Sequence, residues 1–266
     1  MKPASPGEVP LEGALGAIRV GSTVRKQSGP WTPTIQALLR HLREEGFDLA
    51  PDPLGTDEHG REVMSLLAGR SAYRPWPPVM LRVDGVVQLA RTLRRYHDVV
   101  QGFDPGPEAR WRSGARTLGS GDVICHGDYG AWNTLWEGDE LIGVVDWDMA
   151  EPDRPIVDVA FLAIHAVPLR SDTKARKAGF LDVVPRGERL RALCDAYGDV
   201  DLAAVLEAAV AFHVRDRQRT VEWGKEGVEP WATFLARGEL ATIEDDEGWL
   251  REHGQEILDG SGEAYR

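Results

Sequence analysis

Val123-Ile124-Cys125-His126-Gly127-Asp128-Tyr129-Gly130-Ala131-Trp132-Asn133 opens a stretch that runs through Gly143-Val144-Val145-Asp146-Trp147-Asp148 to Pro155-Ile156-Val157-Asp158-Val159-Ala160. Val123, Ile124 and Cys125 read as the end of a buried strand, and His126-Gly127-Asp128 leaves it as a loop, so Asp128 stands at a strand end. Thr134 to Trp136 then reads as a short strand, Glu137-Gly138-Asp139 as a turn, and Leu141 to Val145 as the returning strand that delivers Asp146. A hairpin brings the start of its first strand close to the end of its second. Asn133 and Asp146 therefore converge beside Asp128.

An amide oxygen and a carboxylate are hard donors that suit Mg²⁺, an ion that keeps most of its waters and shares its site with phosphates. Asp128 is then left to act as a base. Such an arrangement serves phosphoryl transfer, which needs charge neutralisation and an in-line nucleophile more than covalent help. Two blander readings compete. His-Gly-Asp alone is an ordinary turn, and Asp146-Trp147-Asp148 would serve as the carboxylate pair of a nucleotide-sugar transferase, but no doubly wound α/β pattern precedes it. His126 and Asp158 read as structural, the first packing under the loop and the second tying a helix to the loop backbone.

With Asn133 five residues after Asp128 and Asp146 thirteen after Asn133, the stretch resembles the His-Gly-Asp variant of the protein-kinase catalytic loop followed by the metal-binding Asp. That variant marks the aminoglycoside phosphotransferase family. Trp31-Thr32-Pro33 and Gly60-Arg61-Glu62-Val63 resemble a bacterial subgroup of phosphotransferases and trifolitoxin immunity proteins. The resemblance implies an α+β, protein-kinase-like two-lobed fold: a small, trimmed nucleotide-binding β lobe over residues 1–67 and a larger helical catalytic and acceptor-binding lobe over 68–266. It implies Mg²⁺ and ATP or GTP as co-substrate, Asp128 as base, Asn133 and Asp146 as metal ligands, and a hydroxyl of a small molecule as acceptor. The alternative is a non-catalytic kinase-like binding or immunity protein.

The same resemblance implies a glycine-rich hairpin over the phosphates between Leu11 and Lys26. Gly13, Gly16 and Gly21 supply backbone freedom there, without a Gly-x-Gly-x-x-Gly pattern. Thr23-Val24-Arg25-Lys26 is the expected third strand, with Arg25 or Lys26 as the phosphate cation. Arg25 is preferred because it follows an inward-pointing Val24, but alternation places Arg25 and Lys26 on opposite faces and leaves the choice open. Thr32 and Pro33 begin a helix as N-cap and first residue, with an apolar stripe of Ile35, Leu38, Leu39 and Leu42 ending before Gly46. This helix should lend a Glu to the cation, yet its first two turns hold Gln36 and no acid. Arg61 to Leu67 reads as the strand and hinge, where backbone around Glu62 and Met64 would bond the adenine.

A chain of 266 residues with 42% apolar content fills a sizeable core. Its net charge of −12 disfavours nucleic acid and anionic membrane as partners and leaves small molecules. Half of that excess falls after Ala236, a region that reads as a solvated face. Cys125 and Cys194 have no metal or disulfide spacing, and Met1 to Pro10 reads as a loose arm without a signal-peptide core, so a cytoplasmic protein is expected. Helices are expected over 161–167, 189–197, 202–223, 231–236 and 246–258, with His213 a core histidine and Lys174 to Lys177 a solvated run. Trp223, Glu226, Glu229 and Trp231 are candidate acceptor contacts.

Overall fold

A computed structural model describes residues 7–11, 16–72, 76–114, 116–180, 184–198 and 200–261. The chain divides into two compact units: one comprises Met1–Pro77 and Thr92–Asp158, the other Pro78–Arg91 and Val159–Arg266. The division therefore does not fall after Leu67. The stretch from Val123 to Asp158 stays with the N-terminal sheet, and the reason is visible in its bonds. Val144 N–H donates to Leu49 O at 2.7 Å, and Lys26 donates to Asp146 at 3.1 Å.

In the first unit, β1 (Glu8–Pro10), β2 (Ile18–Val20) and β3 (Thr23–Lys26) form an antiparallel meander, followed by α1 (Thr32–Glu44), β4 (Pro53–Thr56) and β5 (Glu62–Ser65). The sheet order is β1-β2-β3-β5-β4. Glu8 to Pro10 is thus an edge strand rather than part of a loose arm; residues 1–6 and Gly13 lie outside the described residues. β4 was not expected, because Pro53 and Gly55 read as loop; an edge strand tolerates both. Helix α1 buries Ile35, Leu38, Leu39 and Leu42 as its stripe predicts, and Gly46 takes the positive φ (+79°) that stops it. Its N-cap is Trp31, one residue earlier than expected, while the Thr32 hydroxyl accepts from Gly29 N–H.

β6 (Arg70–Ser71) and α2 (Val83–Val100) come next, then β7 (Val123–Cys125), β8 (Thr134–Glu137), β9 (Glu140–Val144) and β10 (Glu151–Asp153). β8 and β9 are the expected hairpin, joined on one side by β6, while β7 pairs with β10. Beneath the His126-Gly127-Asp128 loop, Trp147 gathers the rings of His126 (4.6 Å), Tyr96 (4.9 Å) and Phe47 (6.4 Å). These rings fill the space under the loop and contribute roughly 0.5–1.5 kcal/mol per favourable pair beyond their area burial.

The second unit is helical: α3 (Pro155–Ala166), which enters it from the first, then α4 (Asp172–Lys177), α5 (Arg186–Tyr197), α6 (Leu202–Lys225), α7 (Trp231–Ala236) and α8 (Glu239–Gly260). α6 packs on α7 and α8, and α5 on α8. The charge run at Lys174 is a short helix capped by the Ser171 side chain, and Lys174 pairs with Asp246 on α8 at 2.9 Å, so it is a helix-to-helix tie as well as a wet face. His213 is buried as expected, but its Nε2 has no hydrogen-bond partner among the described residues. No described helix is long and apolar enough to cross a membrane.

Candidate active site

The loop His126-Gly127-Asp128 is held from three sides. Asp158, fully buried at the start of α3, accepts from His126 N–H at 2.6 Å and Gly127 N–H at 3.0 Å, and pairs with His97 of α2 at 3.1 Å. The His126 ring meets Val145 O at 3.2 Å. Gly127 has φ +76°, and a Cβ there would overlap the Met149 carbonyl, so this turn admits only glycine. These contacts bear out the structural reading of His126 and Asp158. His97, Cys125 and Asp158 also place three ligand atoms within 4.8 Å of one another, but Asp158 spends its oxygens on the loop and His97, and Cys125 Sγ faces Arg154 O at 3.4 Å. That cluster is a loop anchor.

Asp128 leaves the loop as an acceptor. Its Oδ2 takes Asn133 Nδ2 at 2.8 Å and Trp132 Nε1 at 3.4 Å. Both donors fall on one oxygen, which leaves Oδ1 for a proton. Burial first, then the charge of Asp146, push the Asp128 carboxyl up to about 7, against the pull of the Trp132 and Asn133 bonds.

Asn133 sits in a 3-10 turn, and Val145 N–H donates to Asn133 O at 2.9 Å, beside the Thr134–Val144 register pair. This brings Asn133 next to the strand end that carries Asp146, as the hairpin argument requires. Asn133 Nδ2 is committed to Asp128, so Oδ1 is the atom of its amide left to accept from another group. Asp146 has φ +62°, the one positive φ of a non-glycine residue among those described, and its side chain is 55% exposed. A backbone held in that region at a functional position is strain retained by its surroundings.

Strand β3 brings Lys26, and not Arg25, to this carboxylate. Lys26 Nζ lies 2.7 Å from Asp148 Oδ1, 3.1 Å from Asp146 Oδ1 and 4.0 Å from Glu62 Oε2. Desolvation opposes its charge, but the three carboxylates outweigh it and raise its pKa. The same ammonium, against some desolvation, holds Asp146 below the usual carboxylate range. Arg25 faces the other way, bonding the Thr23 hydroxyl and pairing with Asp57 at 3.5 Å. Alternation along β3 separates the two cations, and the face that meets Asp146 is the one opposite to the expected.

Glu62 and Met64 also behave differently from expectation. β5 is flanked by β3 and β4, so its backbone is engaged in the ladder rather than offered to an adenine. Glu62 reaches the site through its buried side chain, which accepts from Gln36 Nε2 at 2.9 Å. Gln36 spends its other end on Gly55 N–H at 3.1 Å, tying α1 to β4 and β5. Burial raises the Glu62 pKa against the opposing pull of Lys26 and Gln36. Trp132 and Arg112, whose Nη1 lies 3.8 Å from Asp148, were not singled out from sequence, and Asp148 was weighed only as half of a carboxylate pair.

Three carboxylates, those of Glu62, Asp146 and Asp148, thus surround Lys26, Arg112 lies beside Asp148, and Asp128 stands near enough to Asp146 for their charges to interact. A set of hard oxygens with an excess of negative charge fits a divalent cation such as Mg²⁺.

Comparison with known proteins decides the ancestry. Residues 108–206 match the sequence model of the phosphotransferase enzyme family. Over 191 residues the chain is 35% identical to the trifolitoxin immunity protein of Rhizobium leguminosarum bv. trifolii, a match covering 70% of this chain and 71% of that one. This chain belongs to the phosphotransferase enzyme family. Its α+β kinase-like fold is shared with an amicoumacin kinase solved with AMP-PNP, Ca²⁺ and its ligand (TM-score 0.61, 11% identity, 91% of this chain and 90% of that one). A choline/ethanolamine kinase family protein from Mesorhizobium loti shares it too (TM-score 0.57, 16% identity, 92% and 93%). The family match includes Asp128, Asn133 and Asp146 and begins well after Lys26 and Glu62.

Proposed function

We propose that this protein is an ATP- or GTP-dependent O-phosphotransferase that acts on a hydroxyl group of a small molecule. The observation that carries the reading is the state of Asp128: one oxygen tied by Asn133 and Trp132, the other left for a proton, and a carboxyl raised to about 7. A base near neutrality is matched to deprotonating an alcohol as it attacks, and contributes on the order of 10²–10⁴ in rate. Asp128 Oδ1 takes the hydroxyl proton, the hydroxyl oxygen bonds to the γ-phosphorus, and the bond from that phosphorus to the bridging oxygen breaks to release ADP or GDP.

Asn133 Oδ1 and Asp146 are the residues that would hold Mg²⁺, which supplies charge neutralisation to the phosphates when bound. Lys26 takes the phosphate-cation role first given to Arg25, supported by its place on the Asp146 side of β3. The amicoumacin kinase solved with AMP-PNP and Ca²⁺ supports a nucleotide and a divalent cation as a pair. A net charge of −12 and the small-molecule kinases that share the fold support a small, hydroxylated acceptor and neither nucleic acid nor membrane.

The 35% identity to an immunity protein favours a second reading, a kinase-like binding protein that protects without turnover. The two separate in one experiment. Nucleotide binding is followed by thermal shift with and without Mg²⁺, then ADP or GDP release is screened over hydroxylated metabolites and antibiotics. The enzyme reading expects an acceptor whose phosphorylation is lost in Asp128→Asn while nucleotide binding is kept. Nucleotide binding with transfer to no acceptor, and a protective role intact in Asp128→Asn, refutes it in favour of the second.

A further inference from the structure

Kinase-like sites fix the phosphate-binding lysine with a carboxylate from the neighbouring helix. Here α1 holds no acid in its first turn, and Gln36 occupies the inner position. A lysine left without partners would keep its long, flexible stem and lose much of its side-chain entropy each time it gripped a phosphate. Lys26 is not left so. Its ammonium lies 2.7 Å from Asp148 and 4.0 Å from Glu62, with side-chain exposures of 12% for Lys26, 12% for Asp148 and 1% for Glu62.

Each of the two carboxylates is itself held. Glu62 accepts from Gln36, and its Oε2, buried and without a hydrogen-bond partner among the described residues, is the oxygen nearest Lys26. Asp148 has Arg112 on its second oxygen at 3.8 Å, and that guanidinium lies 5.1 Å over the Trp31 ring at the head of α1. Asp146, in contrast, is half exposed and is the metal ligand of the reading above. It has to exchange Lys26 for the metal, whereas Asp148 and Glu62 do not.

We propose that Asp148, two residues past the metal-binding Asp, and Glu62, on β5, together form the clamp that fixes Lys26 for the nucleotide phosphates and take the place of the missing helix carboxylate. Asp148 is a positioning residue: it acts through Lys26 and touches neither nucleotide nor metal. This rests on the nucleotide-binding reading of the site. It explains how a family member with Gln36 in the helix keeps a placed lysine, and it assigns the second carboxylate of Asp146-Trp147-Asp148 a role other than metal binding.

A mutant cycle tests it on the full chain, with Mg-ATP and Mg-GTP affinities by calorimetry and melting temperatures without nucleotide. Asp148→Asn should weaken nucleotide binding about tenfold, Glu62→Gln by a similar factor, and Asp148→Glu should recover most of the loss. Added to Lys26→Met, Asp148→Asn should weaken binding no further, because its only route of action is gone. The double variant should also melt above Lys26→Met alone, since one uncompensated buried carboxylate has been removed. Asp148→Asn binding as the wild type does, or its loss multiplying with that of Lys26→Met, overturns the clamp. Wild-type protein that binds neither nucleotide overturns the reading beneath it, and shows this in the first titration, before any variant is compared.

Discussion

Replacing Asp128 by Asn should stabilise the protein while removing the base of the proposed reaction. The carboxyl is raised from its ordinary 3.8 to about 7, chiefly by burial and then by Asp146. A folded-state value above the unfolded one means that the folded chain holds the proton more tightly. The stability this gives is full below pH 4 and is lost as pH rises through about 7. At 1.36 kcal/mol per pH unit, the difference between 3.8 and 7 corresponds to about 4 kcal/mol as an upper limit. Asp128 is partly exposed, so solvent screening reduces the expected gain of the Asn variant to about 1–3 kcal/mol above pH 7.5. Asparagine keeps an oxygen for Asn133 and Trp132, so the contacts survive and only the charge goes. For a chain of this size that gain is a rise of roughly 3–10 °C in melting temperature. The assay is differential scanning fluorimetry of both proteins in EDTA at half-unit steps from pH 4.5 to 8.5. The two should melt together near pH 4.5 and separate progressively to pH 7.5. A difference that is flat across the series, or a variant that melts lower at pH 8, refutes the assignment of Asp128 as a half-buried, destabilising charge.

Four other substitutions test the geometry. Lys26→Ala should weaken nucleotide affinity by about 1.5–3 kcal/mol while Arg25→Ala, on the opposite face, leaves it nearly unchanged; calorimetry showing the reverse would return the role to Arg25. Asp146→Asn should abolish Mg²⁺-dependent stabilisation by nucleotide with the fold intact, and an unchanged Mg²⁺ response in thermal shift would remove Asp146 from the metal. Gly127→Ala should destabilise by more than about 2 kcal/mol in urea unfolding, because φ +76° and the Met149 carbonyl both oppose a side chain; a near-neutral effect would mean that the loop can be repacked.

The hairpin that joins Asn133 to Asp146 was legible because two short apolar strands flank a Glu-Gly-Asp turn, and local pattern fixes local pairing. Asp158 was legible as an anchor for the same reason: it lies at the start of a helix directly after the hairpin. The choice between Arg25 and Lys26 was not. Alternation says that they face opposite ways, but every residue of β3 is half-buried, so Val24 marks no inner face. The side that meets Asp146 is set by the sheet, where Lys26 stands opposite Glu62 across β3 and β5. That register joins residues far apart in sequence, and no periodicity within either strand encodes it. β4 was missed through Pro53 and Gly55, whose loop-forming preference is overridden at a sheet edge.

The same long-range register bears on whether the site works. From sequence, the lack of an acid early in α1 counts against activity, because a lysine without a partner carboxylate is poorly placed for phosphate. In the folded chain the carboxylate count around Lys26 is higher than a single helix Glu would supply: Glu62, Asp146 and Asp148 all lie within 4.0 Å of its ammonium. Gln36 is part of that arrangement, since its amide holds Glu62 from the helix side. An excess of carboxylates has a consequence of its own. With Asp146 sharing Lys26, a divalent cation held by Asp146 in the proposed reading would compete with the ammonium, and Asp148 and Glu62 would keep Lys26 close enough to meet the nucleotide's phosphates. Nucleotide and metal should therefore bind cooperatively, each tighter in the presence of the other by the same factor. Calorimetric titrations of nucleotide with and without Mg²⁺, and of Mg²⁺ with and without nucleotide, measure that factor twice. A factor near one in the wild type, with Lys26 and Asp146 both intact, would contradict the exchange.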